Sequence, residues 1–402
     1  MTNESLNQGK PDAEAHYERG VAYIEEGRYD RALAEFTIAI RLKPDYADAY
    51  FKRGIAYFIK GDYVRAIADF SQAIRFNPED AIAYYNRGLS YYRKGDYVRA
   101  IEDYDRAIEL NPDFSDAYFN RAKACHCIGE YDQAIADYTQ AIKLNPKDPE
   151  AYLARGNVYK DIGEDSRAIS DYTQAIRLKP DYAEAYYNRG NVYASKGDYK
   201  RALADFDQVI RLRPDMAEGY QNRGTVYHFI GEYDRAIADL TQAISLKPDY
   251  AQAYFNRGNA YAAKEDYDRA IADYNQAIRL KPDYANAYIN RGNAYLYKGD
   301  HNRAIADYTK AIELRPDMAV AYYNRGFVYF SKGDYDHAIA DFTETIRLSP
   351  DFDVAYHNRG RAYKNKGEKE KAIADFKKVL ELSQDPELRR KAKRELKKLE
   401  AK

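Results

Sequence analysis

The chain has 402 residues, a formal net charge of -1, and 32% charged residues in which acids and bases are interspersed. That balance excludes a global field suited to nucleic acid or an acidic membrane surface, so neither is expected as a partner. Two cysteines, Cys125 and Cys127, exclude a disulfide framework, and a reducing, cytoplasmic compartment is expected.

The N-terminal segment 1–12 is polar, has no apolar core of a signal sequence, and is expected to be a disordered tail. From Ala13 onward the chain is periodic. Prolines recur at Pro44, Pro78, Pro112, Pro146, Pro180, Pro214, Pro248, Pro282, Pro316 and Pro350, always 34 residues apart. Counting back from each one divides residues 13–386 into eleven units starting at Ala13, Ala47, Ala81, Ser115, Pro149, Ala183, Ala217, Ala251, Ala285, Ala319 and Asp353. A length that would suggest two to three ordinary domains therefore reads instead as an array grown by adding units.

Each unit predicts two helices. In Ala183 to Met216, Tyr186, Gly190 and Tyr193 share one helical face, and Gly197 is suited to a left-handed stop. Ala202, Leu203, Phe206, Val209 and Ile210 line the second helix, which Pro214 ends, and Asp215 is placed to cap the next. Position eight is Gly in ten units and Ala122 in one, and position twenty is Ala in all eleven. A helical Gly costs about 0.5–1 kcal/mol against Ala, so its repetition predicts close approach of a neighbouring group.

Tyr at four, Gly at eight, Tyr at eleven, Ala at twenty, an aromatic at twenty-four, Ala at twenty-seven and Pro at thirty-two resemble the tetratricopeptide repeat. The departures are Ala122, Cys125, Leu240, Val209, Thr345 and Val379, and repeat five is the least regular, with Asp165 where most units have Tyr. The resemblance implies an all-α solenoid: a right-handed superhelix of eleven helix-turn-helix repeats whose first helices line a concave groove. Residues 387–402 place Leu388, Ala392, Leu396 and Leu399 on one stripe of a basic helix, expected to cap the array, with a basic docking tail as the alternative.

Position seven, usually Leu in the family, is Arg in every unit, from Arg19 to Arg359, and position twenty-three is always acidic, from Glu35 to Asp375. A partly buried guanidinium needs a partner, so a structural ion pair is expected rather than an anion-binding stripe.

The resemblance implies that positions two, five, six, nine, twelve and thirteen point into the groove. Position six is Asn at Asn86, Asn120, Asn188, Asn222, Asn256, Asn290, Asn324 and Asn358, and position nine is Asn at Asn157, Asn191, Asn259 and Asn293. Asn is a poor helix former, and a column of amides offers donors and acceptors to the backbone of an extended peptide. The column is similar to the asparagine ladder in the tetratricopeptide superhelix of O-linked N-acetylglucosamine transferase; a polar surface inherited by duplication is the alternative. Asn188, Asn222, Asn256 and Asn290 are expected to face solvent. Phe51, Tyr85 and Phe330 belong to apolar groove clusters suited to choosing a partner, though part of those clusters would then be core. No unit has Lys at position two or five, as a chaperone-tail carboxylate clamp requires.

Cys125 and Cys127 lie about 200° apart on a helix, which is poor geometry for one ion. The sequence holds no P-loop, dinucleotide fingerprint or nucleophile elbow. The expectation is a non-catalytic scaffold without metal or cofactor that holds a protein or peptide segment. A substrate-holding accessory subunit of a separate enzyme, such as a glycosyltransferase, and a self-associating structural solenoid stay open as alternatives. Nearest-neighbour packing predicts that deleting Ala251 to Tyr284 leaves a shorter folded array; helical circular dichroism reduced only in proportion to length is the expected result.

Overall fold

The computed structural model describes residues 12–401; the expected tail up to residue 11 lies outside them. Two compact units are present, one ending at Lys196 and one starting at Gly197. The first holds α1 (Ala13–Glu25), α2 (Tyr29–Leu42), α3 (Ala47–Ile59), α4 (Tyr63–Phe76), α5 (Ala81–Arg93), α6 (Tyr97–Leu110), α7 (Ser115–Cys127), α8 (Tyr131–Leu144), α9 (Pro149–Asp161), α10 (Asp165–Leu178) and α11 (Ala183–Ser195). The second holds α12 (Tyr199–Leu212), α13 (Ala217–Phe229), α14 (Tyr233–Leu246), α15 (Ala251–Ala263), α16 (Tyr267–Leu280), α17 (Ala285–Tyr297), α18 (His301–Leu314), α19 (Ala319–Ser331), α20 (Tyr335–Leu348), α21 (Asp353–Asn365), α22 (Lys369–Leu382) and α23 (Pro386–Glu400). Within each unit every helix packs on its chain neighbours, and first helices of successive repeats touch.

Local chemistry sets the boundaries. The residue at position fifteen has positive φ in every repeat: Gly in ten, Glu265 (φ 62) in the eighth. A Cβ in that region costs about 1–2 kcal/mol, so Glu265 carries strain that the glycines avoid. Asp62, Asp96, Asp198, Asp266, Asp300 and Asp334 cap the second helices by accepting from a backbone N–H three residues on. Asp215 does not cap α13: the N-cap is Met216, and Asp215 faces Arg213 at 3.2 Å. Position thirty-four takes the cap place, so a first helix has a side-chain cap where that residue is Asp80 or Asp148 and none where it is Met216.

The hairpins close on small residues. The Ala at position twenty is fully buried throughout. A Cβ added at Gly20 would meet the Phe36 ring at 2.6 Å, and one at Gly258 the Tyr274 ring at 2.7 Å. The close neighbour that demands glycine is thus the aromatic at position twenty-four. Where Ala122 stands instead, Phe119 meets Tyr138 at a steeper 67° than the paired rings of other repeats. On α23, Leu388, Ala392 and Leu396 are buried against Phe376 and Val379 of α22.

The charged residues at seven and twenty-three meet inside the hairpin. Nε and Nη2 of Arg53, Arg87, Arg121, Arg155, Arg223, Arg257, Arg291, Arg325 and Arg359 donate to both oxygens of the acid sixteen residues on, at 2.6–2.9 Å. Arg19 reaches Glu35 through Nε at 3.2 Å, with His16 on the same oxygen. Nη1 crosses to position twenty-five of the preceding repeat: Thr37, Ser71, Asp105, Thr139, Thr173, Asp207, Thr241, Asn275, Thr309 or Thr343. Burial pushes the Asp69 and Asp103 carboxyls up against the pull of their arginines, so desolvation is the main cost of the arrangement.

Replacing Asp273 with Ala leaves Arg257 only Thr241 and Tyr faces. A loss of about 3–5 kcal/mol, local to the eighth repeat, is expected, with Asp273→Asn intermediate. Hydrogen exchange across residues 251–297 checks it; unchanged protection would mean the pair is worth no more than a solvated one.

Candidate functional site

Position six and position nine lie one helical turn apart on the same face of the first helices, and packing turns them into a hydrogen-bonded ladder. Asn188 Nδ2 donates to Asn157 Oδ1 at 2.9 Å, Asn290 to Asn259 at 2.8 Å, and Asn324 to Asn293 at 3.1 Å. The same position-nine oxygens also accept from the tyrosine hydroxyl at position twenty-four of their own repeat: Tyr172 to Asn157 at 2.8 Å, Tyr274 to Asn259 at 2.9 Å, Tyr308 to Asn293 at 2.7 Å. Where position nine is not Asn, another acceptor serves. Asn256 donates to Thr225, Asn120 to the Tyr85 hydroxyl and Asn358 to the Tyr323 hydroxyl. Asn86 bonds back to the Ile82 carbonyl at 2.8 Å.

The expectation that Asn188, Asn222, Asn256 and Asn290 face solvent is therefore corrected. Asn256 and Asn358 are buried, and Asn86, Asn120, Asn157, Asn188, Asn191, Asn222, Asn259, Asn290, Asn293 and Asn324 are half-buried. The position-nine oxygens are spent inside the protein. What stays available is the other end of the position-six amide: Oδ1 of Asn188, Asn290 and Asn324 meets no donor among the described residues. The missed signal was the co-occurrence of Tyr at twenty-four with Asn at nine in repeats five, eight and nine.

The apolar groove residues are partly core. Tyr85 sits between the rings of Phe114 (4.8 Å) and Tyr104 (5.9 Å), and burial pushes its hydroxyl up to about 12. Phe51 is half-buried against Phe70, and Phe330 packs on Tyr335 beneath the Arg361 guanidinium, 4.7 Å away. Cys125 is buried where other repeats have Tyr, which pushes its thiol up to about 11, while Cys127 is exposed.

Two openings break this lining. One of ≈ 240 Å³ lies among Tyr92, Phe119, Lys123, Cys127 and Tyr182. The other, ≈ 560 Å³, lies among His228, Asn259, Ala262, Ala263, Asn290 and Tyr297. Its origin is compositional. In repeats two, three, four, seven and ten a ring at position twelve packs on the tyrosine at seventeen, as Phe58 on Tyr63 and Tyr92 on Tyr97 at 5.4 Å. Repeat eight has Ala262 there, and Tyr267 is stacked instead by Tyr297 of the next repeat, itself 72% exposed; repeat six, with Ala194, likewise has Tyr199 stacked by Phe229.

Sequence models of the tetratricopeptide repeat match residues 6–47, 17–81, 81–114, 103–136, 190–257, 319–352 and 354–386, and those of the TPR repeat match 123–163, 156–197, 258–299 and 292–333. The chain belongs to the tetratricopeptide repeat family. No curated protein matches it. Among solved structures it is similar to YrrB, a TPR protein described as having an unusual peptide-binding site, at 30% identity over 46% of this chain and 95% of that one, TM-score 0.40. A tetratricopeptide repeat protein from Parabacteroides merdae shares 24% identity over 62% of this chain and 98% of that one, TM-score 0.50. The Cut9–Hcn1 structure of the APC/C shares the fold at 16% identity over 97% and 96%, TM-score 0.51. Tetratricopeptide repeat proteins typically mediate protein or peptide binding and are generally non-catalytic. No helix among the described residues is long and apolar enough to cross a membrane.

The ladder makes a paired prediction. In repeat three, position nine is Leu89, and the buried Tyr104 hydroxyl has no hydrogen-bond partner among the described residues. Tyr104→Phe removes an unsatisfied group and should leave stability unchanged or raise it by about 1 kcal/mol. Tyr274→Phe breaks a bond to Asn259 and should cost about 1 kcal/mol. Urea midpoints of the two variants should move in opposite directions, or only the second should move.

Proposed function

We propose that this tetratricopeptide repeat protein is a scaffold that holds an extended segment of a partner protein along the face of its first helices. The observation that carries this reading is the pair of amide oxygens on Asn290 and Asn324 in successive repeats, each amide anchored by one N–H and open at the other end; Asn188 has the same arrangement in the first unit. An anchored amide is preorganised, so little side-chain entropy is lost when a peptide N–H binds it. Its repetition in consecutive repeats, Asn290 and then Asn324, suits the regular spacing of a peptide backbone and is indifferent to its side chains. Each such bond contributes about 0.5–1.5 kcal/mol, so affinity comes from number. Choice of partner then falls to the variable positions, and the opening beside Ala262 and Ala263 is where a side chain of the segment has room to enter.

Ala263 is exposed, at the end of α15. Ala263→Trp fills the opening from its exposed edge and removes no ladder hydrogen bond, so the fold should be unchanged by circular dichroism. Isothermal titration with the segment recovered from a captured partner should show binding weakened about tenfold or more, equivalent to about 1.4 kcal/mol. Full affinity would place the contact on another face of the repeats.

A further inference from the structure

The last first-helix, α21, and the C-terminal helix α23 enclose a pocket of ≈ 520 Å³. Four cationic side chains, Arg361, Lys364, Lys391 and Arg394, line it against a single carboxylate, Glu395. That carboxylate is already engaged: its side chain is only 11% exposed and accepts from Lys364 Nζ at 2.5 Å and Lys398 Nζ at 3.0 Å. Lys391 has Glu387 at 2.9 Å. The two guanidiniums are left over. Arg394 reaches only the doubly bonded Glu395, at 3.7 Å, and Arg361 has no carboxylate within ion-pair distance among the described residues.

The arginines at position seven, by contrast, are tied to acids, as Arg359 is to Asp375 in the same repeat. Arg361 occupies position nine of repeat eleven, the place held by Asn157, Asn259 and Asn293 in the ladder. At the end of the array the amide is replaced by an exposed planar cation, 3.5 Å from Asn358 Oδ1. α23 faces it with Lys391 and Arg394. The floor is neutral: His357 is buried, and burial lowers its pKa. A concave site with excess positive charge, two guanidiniums that lack a close bidentate carboxylate among the described residues, and a neutral floor matches a carboxylate, which a guanidinium can hold through two parallel bonds.

We propose that this pocket anchors a carboxylate of an acidic peptide segment, held between Arg361 and Arg394. The assignment deepens the scaffold reading and rests on it, since the pocket continues the ladder face to its C-terminal end. It differs from a clamp built of lysines at positions two and five, which no repeat contains. The carboxylate is either a Glu or Asp side chain or a peptide C-terminus.

Fluorescence anisotropy with the full chain tests it, using labelled six-residue Glu–Gly peptides with free or amidated C-termini, a Ser–Gly control and an oligothymidylate. A peptide of that length spans about 20 Å and reads this pocket without covering the rest of the face. The acidic peptides should bind more tightly than the control, weaken as salt rises, and lose about tenfold in affinity with Arg361→Gln/Arg394→Gln. Both residues are exposed, so the double variant should keep its circular dichroism. Loss on amidation assigns the terminal carboxylate; equal binding assigns the side chains. Binding no tighter than the Ser–Gly control, unchanged binding by the double variant, or tighter binding of the oligothymidylate through the same arginines would overturn the proposal. Ala263→Trp should leave these peptides unaffected, so failure here and failure of the scaffold reading are separable.

Discussion

The arginine at position seven joins three helices with one side chain. Its Nε and Nη2 grip the acid on the second helix of its own hairpin, and Nη1 reaches the second helix of the repeat before. Apolar contacts between Ala, Tyr and Ile faces tolerate sliding, whereas a planar fork on two carboxylate oxygens does not. Buried ion pairs contribute little net stability once desolvation is counted, and breaking one is costly. The fork is therefore better understood as setting register than as supplying energy, with Ala at twenty and the ring at twenty-four supplying the burial.

Register in turn decides what the open face presents. The ring at position twenty-four lies over Gly at eight, close enough that a Cβ would collide. When that ring is Tyr, its hydroxyl reaches position nine of the first helix. Asn there accepts it and passes the connection to Asn at position six of the following repeat. Core packing and surface chemistry are thus one network, and the amide column is held in place from behind. Repeat three shows the dependence from the other side: Leu89 stands at position nine and the Tyr104 hydroxyl is buried without a partner.

Turn chemistry departs from the repeat in one place, Glu265, whose left-handed backbone every other repeat assigns to glycine. It borders the larger opening on the face, together with Ala262 and Ala263. Small side chains and a strained turn coincide where the lining is thinnest, whereas the apolar residues Tyr85 and Phe330 are largely satisfied by their neighbours.

The sequence by itself determined the repeat, its two helices, the stops at Gly197 and Pro214, the inward small residues, and the pairing of position seven with twenty-three. All of these follow from spacing along one chain, where helical geometry says which residues share a face. It also marked Asn at six and nine as unusual. Only the tertiary structure decided that the position-nine amides are consumed by Tyr172, Tyr274 and Tyr308, that Nη1 of the position-seven arginines after the first crosses to position twenty-five, that Asp215 misses its cap, and that Arg361 of α21 and Arg394 of α23 line one pocket. The physical reason is common to all four. A hydrogen bond forms or fails within a few tenths of an ångström, and the distance between side chains on different helices depends on how those helices pack, which no period in a single helix encodes.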